Sequence, residues 1–315
     1  MSKKKIMVIY GGISAEREIS IISSKEISKA LKRLNYEVIE VDADPGLLKE
    51  INFHKPDIVF NALHGTWGED GEVQKILENS KVPYTHSGIA ASKLAMDKNE
   101  SGKIFIQNGF SHPNSIMCNL KDLIGNDPMP YPYVIKPNDN GSSVGVAIIT
   151  NELEKNEYIQ DIISSQTCSD EKNKVLVQEF IEGPEVQVAI YGNDQVGSIE
   201  IVPKNKFYDY ESKYFDNGAT KHIIPPRIEA NKIKEVNELG LKAHKVLNCK
   251  GITRSDFILD NKSGIFFILE INTQPGMTPT SLVPEIAKYH GVSFDNLIDW
   301  ICLLYTSDAA DDLLC

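Results

Sequence analysis

Residues 251–278, GITRSDFILDNKSGIFFILEINTQPGMT, constrain this chain more than any other stretch. Runs of β-branched and aromatic residues at 252–259 and 265–271 flank Asp260-Asn261-Lys262-Ser263-Gly264, a pattern that predicts an antiparallel hairpin. Side chains alternate faces along a strand, which puts Arg254, Asp256 and Ile258 on one side, and likewise Ile268, Glu270 and Asn272. Folding near Ser263 then brings two carboxylates, an amide and a guanidinium together at the open end of the hairpin. Exposed charges at strand ends are commonplace, but this polar set interrupts strands otherwise built of Phe, Ile and Leu. Two neighbouring carboxylates without a cation repel by about 4 kcal/mol at 4 Å and an effective dielectric of 20. Asp256, Glu270 and Asn272 offer hard oxygen donors with no His or Cys among them, so the expected ion is Mg²⁺ and not Zn²⁺.

With 315 residues the chain can bury a large core and is expected to divide into two or three domains. Its net charge of −11 argues against a nucleic-acid or anionic-membrane partner, while leaving room for a local lysine cluster around a phosphate. No apolar run is long enough to span a bilayer. The start, MSKKKIMVIYGG, predicts a first strand in place of a signal peptide. Cys118, Cys168, Cys249, Cys302 and Cys315 are scattered without C-x-x-C spacing, as expected of reduced thiols in a cytosolic enzyme. The last residues, LLYTSDAADDLLC, place a soft polar run where a closing amphipathic helix should continue, and carry no functional argument.

A strand is expected at 5–10, ending in Gly11-Gly12, then a helix capped by Ser14 with Ile19, Ile22, Ile27 and Leu31 on its apolar stripe. Strands at 38–41 and 57–63 and a helix at 71–79 continue the alternation, which predicts a parallel α/β sheet. The Gly11-Gly12 turn lacks the G-x-G-x-x-G pattern of dinucleotide sites. From about Ser92 the pattern changes. A helix at 98–108, strands at 133–136, 146–149, 175–180, 185–190 and 196–202, and a helix at 230–247 predict an α+β body.

Other segments carry weaker signals. Gly141-Ser142-Ser143-Val144-Gly145 can cradle phosphates with its backbone N–H groups, with Lys98 and Lys136 as counter-charges, yet it also reads as an ordinary turn beside surface lysines. In EFIEGPE, the acidic residue after the Gly183-Pro184 turn can hold two ribose hydroxyls, and the preceding strand's backbone can read an adenine edge. An edge-strand turn with exposed glutamates is the alternative. His64 in ALHGTWGEDG stands at a carboxyl-terminal strand end, where α/β sheets bind ligands, and Glu16 faces the same crevice; a purely structural histidine is equally consistent. The loop at 204–222, with Tyr208, Tyr210, Lys213 and Tyr214, is long enough for an active-site lid.

Taken in order, GGISAERE, ALHGTWGEDG, MDKNESGKIF, IKPNDNGSSVGV, FYDYESKY, RSDF and LEINTQPGMTPTSLVP resemble the ATP-grasp superfamily, and within it the D-alanine–D-alanine ligases, from about Lys5 to Trp300. The resemblance implies an N-terminal parallel Rossmann-like sheet followed by a two-part ATP-grasp fold with antiparallel sheets. Its expected divisions are 1–96, 97–184 and 185–302, with 303–315 as an unmatched tail. It implies an ADP-forming ligase in the cytoplasm, a homodimer, that serves peptidoglycan synthesis. By the same resemblance Lys98, Lys136 and Lys213 bind the phosphates of ATP, Gln178, Glu179 and Ile181 the adenine, and Glu185 the ribose. Family members usually have Glu where this chain has Gln178. Asp256, Glu270 and Asn272 carry two Mg²⁺ ions, for which Mn²⁺ can substitute. Glu16 and His64 receive the first D-alanine, and Ser281 and Leu282 the carboxylate of the second. Arg254 and the Gly276 N–H hold the oxyanion, while Ser142, Tyr214 and Glu16 close the lid. Tyr214 favours the D-alanyl-D-alanine product over D-alanyl-D-lactate. A glutathione-synthetase-like ligase would lack FYDYESKY and the Ser281-Leu282 pair, and a non-catalytic descendant would have lost Arg254 or a metal ligand.

Overall fold

A computed structural model of the protein describes residues 4–141, 145–165, 174–191, 195–203 and 220–311. Strand β1 (Lys5–Gly11) lies between β2 (Glu37–Ala43) and β3 (Ile58–Asn61) in a parallel sheet. Its alternation feeds two cores. Ile6 and Val8 pack with Ile27, Ala30 and Leu31 of α1 (Arg17–Arg33), whereas Met7 and Ile9 pack with residues of α2 (Leu47–His54) and α3 (Glu72–Ser80). A parallel sheet covered on both faces explains why this strand reads as a continuous apolar run. Ser14 does not cap α1. Glu16 occupies the cap position, and Ser14 Oγ instead accepts from the Glu16 N–H at 3.0 Å and donates to the His64 carbonyl at 2.6 Å. Ile22 falls off the buried stripe and is 41% exposed. The Gly11-Gly12 turn is filled by its own chain, because Arg17 reaches the Gly12 carbonyl and pairs with Asp42.

A second sheet, with order β4-β7-β5-β6, is antiparallel throughout and is formed by β4 (Ser115–Asn119), β5 (Tyr133–Pro137), β6 (Ala147–Ile149) and β7 (Lys174–Glu179). Tyr133, Ile135, Val175 and Val177 point to the face covered by α6 (Glu152–Ser165), where Ile159 joins their core. By alternation Val134, Lys136 and Gln178 point the other way.

The third sheet has the order β10-β9-β8-β11-β12, from β8 (Glu185–Tyr191), β9 (Gln195–Val202), β10 (Lys221–Ile223), β11 (Thr253–Leu259) and β12 (Phe266–Asn272). One face packs on α4 (Ile89–Met96), α5 (Lys98–Gln107) and α7 (Ala230–Val246) through Ala95, Phe105, Val188, Val236, Phe257 and Ile268. At Gly240 of α7 a Cβ would sit 2.4 Å from a Val188 methyl, so only glycine allows this approach of helix to sheet. Helices α8 (Leu282–Tyr289) and α9 (Phe294–Asp311) close the other face toward the parallel sheet, sharing a core with Ile6, Ala189 and Tyr191. Helix α9 continues past Trp300 to Asp311, into the soft polar run at the end of the sequence.

The hairpin register places Arg254 opposite Asn272 and Asp256 opposite Glu270, so these four side chains share a face as expected. The register then shifts: Phe257 pairs with Ile268, leaving Leu269 as an unpaired bulge residue. Ile268 therefore does not share the face of Glu270 and Asn272. It is buried beside Phe257 in the helix-covered core, and Leu269 takes its place on the polar face.

Candidate active site

The second and third sheets face each other across a cleft of about 890 Å³. Its floor on one side is Val134, Lys136, Ile148 and Gln178; on the other it is Glu185, Asp256, Ile258, Leu269 and Glu270. The connection between β7 and β8 adds Phe180 and Ile181 to the lining. Its lining combines apolar side chains with lysines and carboxylates, a mixture that suits a ligand with an apolar ring and an anionic tail. Lys98, Lys136, Gln178, Glu179, Ile181, Glu185, Asp256 and Glu270, named from the sequence, all line this one cleft.

A smaller cavity of about 490 Å³ adjoins it, since Lys98 and Glu270 line both. Glu69, Gly141, Arg254 and Asn272 complete its charged and loop surfaces. Lys98, at the first position of α5, donates to the Asn140 carbonyl at 2.7 Å and lies 3.3 Å from a Glu270 oxygen. Asp97 caps the same helix through the Glu100 N–H and holds Asn138 at 2.9 Å, so the loop leading to Gly141 is pinned to this helix start. Lys136 is buried, and burial pushes its ammonium down to about 8, with Lys98 adding to the effect and Glu270 and Asp256 opposing it. A buried cation in that range has lost water and is primed for an anionic partner.

Arg254 forks onto Asp256 through bonds of 2.8 and 3.0 Å. Asn272 Oδ1 accepts from the Gln274 N–H at 2.7 Å and keeps a second lone pair. Among the described residues no three His, Cys, Asp or Glu side chains gather into a cage. The donor set is therefore two cross-strand carboxylates and an amide oxygen, with Lys98 and Arg254 balancing the carboxylates. Oxygen donors of this kind fit Mg²⁺ or Mn²⁺ and offer nothing to a thiophilic ion.

At the carboxyl end of the parallel sheet, His64 is held from both sides. Its Nδ1 lies 3.1 Å from Glu69 and its Nε2 3.2 Å from Ser23 Oγ. Burial raises the Glu69 carboxyl above its ordinary value, with His64 opposing and Glu16 adding to the rise. Glu16 is buried against two glycines: a Cβ at Gly65 or at Gly141 would stand 2.9 Å from its Oε1. Thus Glu16, on the parallel sheet's side, touches the loop that borders the smaller cavity. Glu69 was missed by sequence reasoning although it lies in ALHGTWGEDG; its buried contact with His64 depends on how the Gly65–Gly71 turn folds. Gln274 was missed too. It accepts from Asn61 at 2.8 Å and donates to the Leu63 carbonyl, tying the segment after β12 to the end of β3.

Ser281 stands at the cap position of α8, with Leu282 first in the helix. Its Oγ accepts from the Thr278 N–H at 2.9 Å, and a Cβ on Gly276 would meet it at 2.9 Å. Gly276 and Ser281 are thus brought together, though neither lines the two cavities described above. Ser142, Lys213 and Tyr214, with Tyr208 and Tyr210, lie outside the described residues.

Residues 43–87 match the family described as D-ala D-ala ligase N-terminus, and residues 114–302 that described as D-ala D-ala ligase C-terminus. A D-alanine–D-alanine ligase of Pelagibacter ubique is 47% identical over 307 residues, covering 95% of this chain and 97% of that protein. One from Rickettsia typhi is 44% identical over 300 residues, covering 95% and 91%. The crystal structure of a D-alanine–D-alanine ligase from Bacillus anthracis complexed with ATP is similar with a TM-score of 0.80 at 27% identity, covering 98% of this chain and 99% of that one. The parallel sheet, the cleft between two antiparallel sheets and these likenesses agree: the chain belongs to the D-alanine–D-alanine ligase family of the ATP-grasp superfamily.

Proposed function

We propose that this chain joins two molecules of D-alanine into D-alanyl-D-alanine at the expense of ATP, through an acyl phosphate, for peptidoglycan precursor synthesis. The observation that carries the assignment is the meeting of Lys98, Lys136, Asp256 and Glu270 in the cleft between the two antiparallel sheets. In this reading the adenine lies among Val134, Ile148, Ile258 and Leu269 and is read by Gln178, Glu179 and Ile181, while Glu185 holds the ribose. Lys98 and Lys136 bind the phosphates, joined by Lys213. Asp256, Glu270 and Asn272 would hold two Mg²⁺ ions, replaceable by Mn²⁺, which supply charge neutralisation to the transferring phosphoryl group.

The carboxylate oxygen of the first D-alanine attacks the γ-phosphorus, ADP leaves, and an acyl phosphate results. Glu16 binds that substrate's ammonium, with His64 alongside held by Glu69. The free amine of the second D-alanine attacks the acyl carbon. Arg254 and the Gly276 N–H stabilise the oxyanion, and phosphate departs with the original carboxylate oxygen. Ser281 and the Leu282 N–H receive the second carboxylate at the start of α8, where unpaired N–H groups favour an anion. Ser142, Tyr214 and Glu16 close over the acyl phosphate and keep water from it. Among the described residues no helix is long and apolar enough to cross a membrane. A cytoplasmic homodimer is the working assembly in this reading.

Phosphate release from MgATP tests the proposal, with D-alanine alone, L-alanine, D-lactate paired with D-alanine, or no amino acid, and with products weighed by mass spectrometry. Release that requires D-alanine and yields D-alanyl-D-alanine is the expected result. Release with a different pair would move the substrate, and D-alanine-independent hydrolysis would refute ligation.

A further inference from the structure

The larger cavity is lined on β7 by Gln178, whose carboxamide is ambivalent as a recognition element. Its oxygen end accepts a hydrogen bond and its nitrogen end donates one, so the same side chain suits either a 6-amino or a 6-oxo purine depending on which end faces the ring. Nothing in an isolated glutamine decides between them.

The neighbouring strand does decide. Ser115 on β4 stands directly opposite Gln178 in the register. Its hydroxyl donates to the Pro113 carbonyl at 2.8 Å, and its Oγ accepts from Gln178 Nε2 at 3.0 Å. A serine hydroxyl has one proton. Once that proton is committed to Pro113, Oγ meets the amide only as an acceptor. The NH₂ end must then point to Ser115, and Oε1 turns away from it. Gln178 is 2% exposed, so solvent does not compensate the reversed orientation.

We propose that Ser115 is a positioning residue for base choice: by holding the nitrogen end of Gln178 it leaves only the carbonyl end to read the purine, selecting the 6-amino group of adenine against a 6-oxo base. The chain Pro113–Ser115–Gln178 makes an amide act as a one-way acceptor, a property that a carboxylate would have without help. This inference rests on the ATP-dependent reading of the cleft and adds to it the residue that discriminates the base.

The test compares kcat/KM for ATP and ITP, which differ in the 6-amino and 6-oxo groups and in the N1 proton that accompanies the 6-oxo form, at saturating D-alanine. Ser115→Ala frees the amide to rotate. It is expected to lower the ATP:ITP ratio by about tenfold or more, through a gain with ITP and a small loss with ATP. Ser115→Thr keeps the hydroxyl and is expected to keep the wild-type ratio. Adding Gln178→Glu to Ser115→Ala should restore adenine preference, because a carboxylate has no donor end. An unchanged ratio in Ser115→Ala overturns the proposal, and so does an equal loss with both nucleotides, the mark of a purely structural serine. If Ser115→Ala does not fold, Ser115→Val, isosteric with the threonine control but without the hydroxyl, serves in its place with the same two outcomes. The rise in melting temperature with ATP or ITP reads base choice without D-alanine, so failure of ligation and failure of this inference are separable.

Discussion

Asp256 and Glu270 face each other across β11 and β12, one step before the bulge at Leu269 shifts the register. That position is what makes the hairpin a site. Upstream, the two strands keep their carboxylates, Arg254 and Asn272 on one face. Beyond it, Leu269 turns an apolar side chain into the same cleft, beside Ile258.

Removing charge at this pair should stop catalysis and spare the fold. Glu270→Gln keeps the shape of the side chain, loses the partner of Lys98, and is expected to lower ligation by about 100-fold or more. Steady-state phosphate release and a thermal melt check both halves. Wild-type turnover in this variant would remove Glu270 from the metal set.

The bulge separates two neighbours that simple alternation would misassign. Ile268→Ala empties a fully buried core position and should cost about 2–5 kcal/mol of stability. Leu269→Ala should cost less and instead raise KM for ATP, because its side chain lines the cleft. Denaturant titration and nucleotide kinetics on the two variants should give opposite patterns; matching patterns would contradict the register.

Lys136 makes nucleotide affinity depend on pH. Burial lowers its ammonium from 10.5 to about 8, so the free protein carries the charge below that pH and loses it above. Binding ATP above pH 8 then requires taking up a proton, and Kd should rise up to about tenfold per pH unit. The stability effect has a definite sign. The unfolded chain holds this proton more tightly, so the contribution of Lys136 to stability increases as pH rises from about 8 toward 10.5. Calorimetric titration between pH 7 and 9.5 measures the first effect, and Lys136→Arg should flatten the profile.

Gly141→Ala probes the join between the parallel sheet and the cleft. The new Cβ would stand 2.9 Å from the Glu16 carboxylate, which is itself wedged against Gly65. Displacing Glu16 should raise KM for D-alanine several-fold and leave KM for ATP nearly unchanged. An effect confined to ATP would place Glu16 elsewhere in the reaction.

The hairpin was legible in the sequence because a two-residue period is enough to put Arg254, Asp256, Glu270 and Asn272 on one face. The bulge was not, since Leu269 is an ordinary strand residue and no glycine marks it. The parallel sheet could be read from its buried run at 5–10, whereas α2 and α4 escaped, both being short and preceded by glycine without a side-chain cap. Glu69 and Gln274 act through buried contacts with residues distant in sequence or across a turn, and no local pattern announces such contacts. The order β10-β9-β8-β11-β12, which carries Glu185 opposite Ile258 and Gln187 opposite Asp256, follows from long-range pairing that strand propensity does not encode.

The central claim is that ATP in this cleft phosphorylates the carboxylate of D-alanine. The most direct measurement follows oxygen from D-alanine labelled with ¹⁸O in its carboxylate, using the wild-type protein and MgATP, with the released phosphate weighed by mass spectrometry. The account predicts one ¹⁸O in each phosphate, formed together with D-alanyl-D-alanine. Unlabelled phosphate accompanying the dipeptide would contradict it.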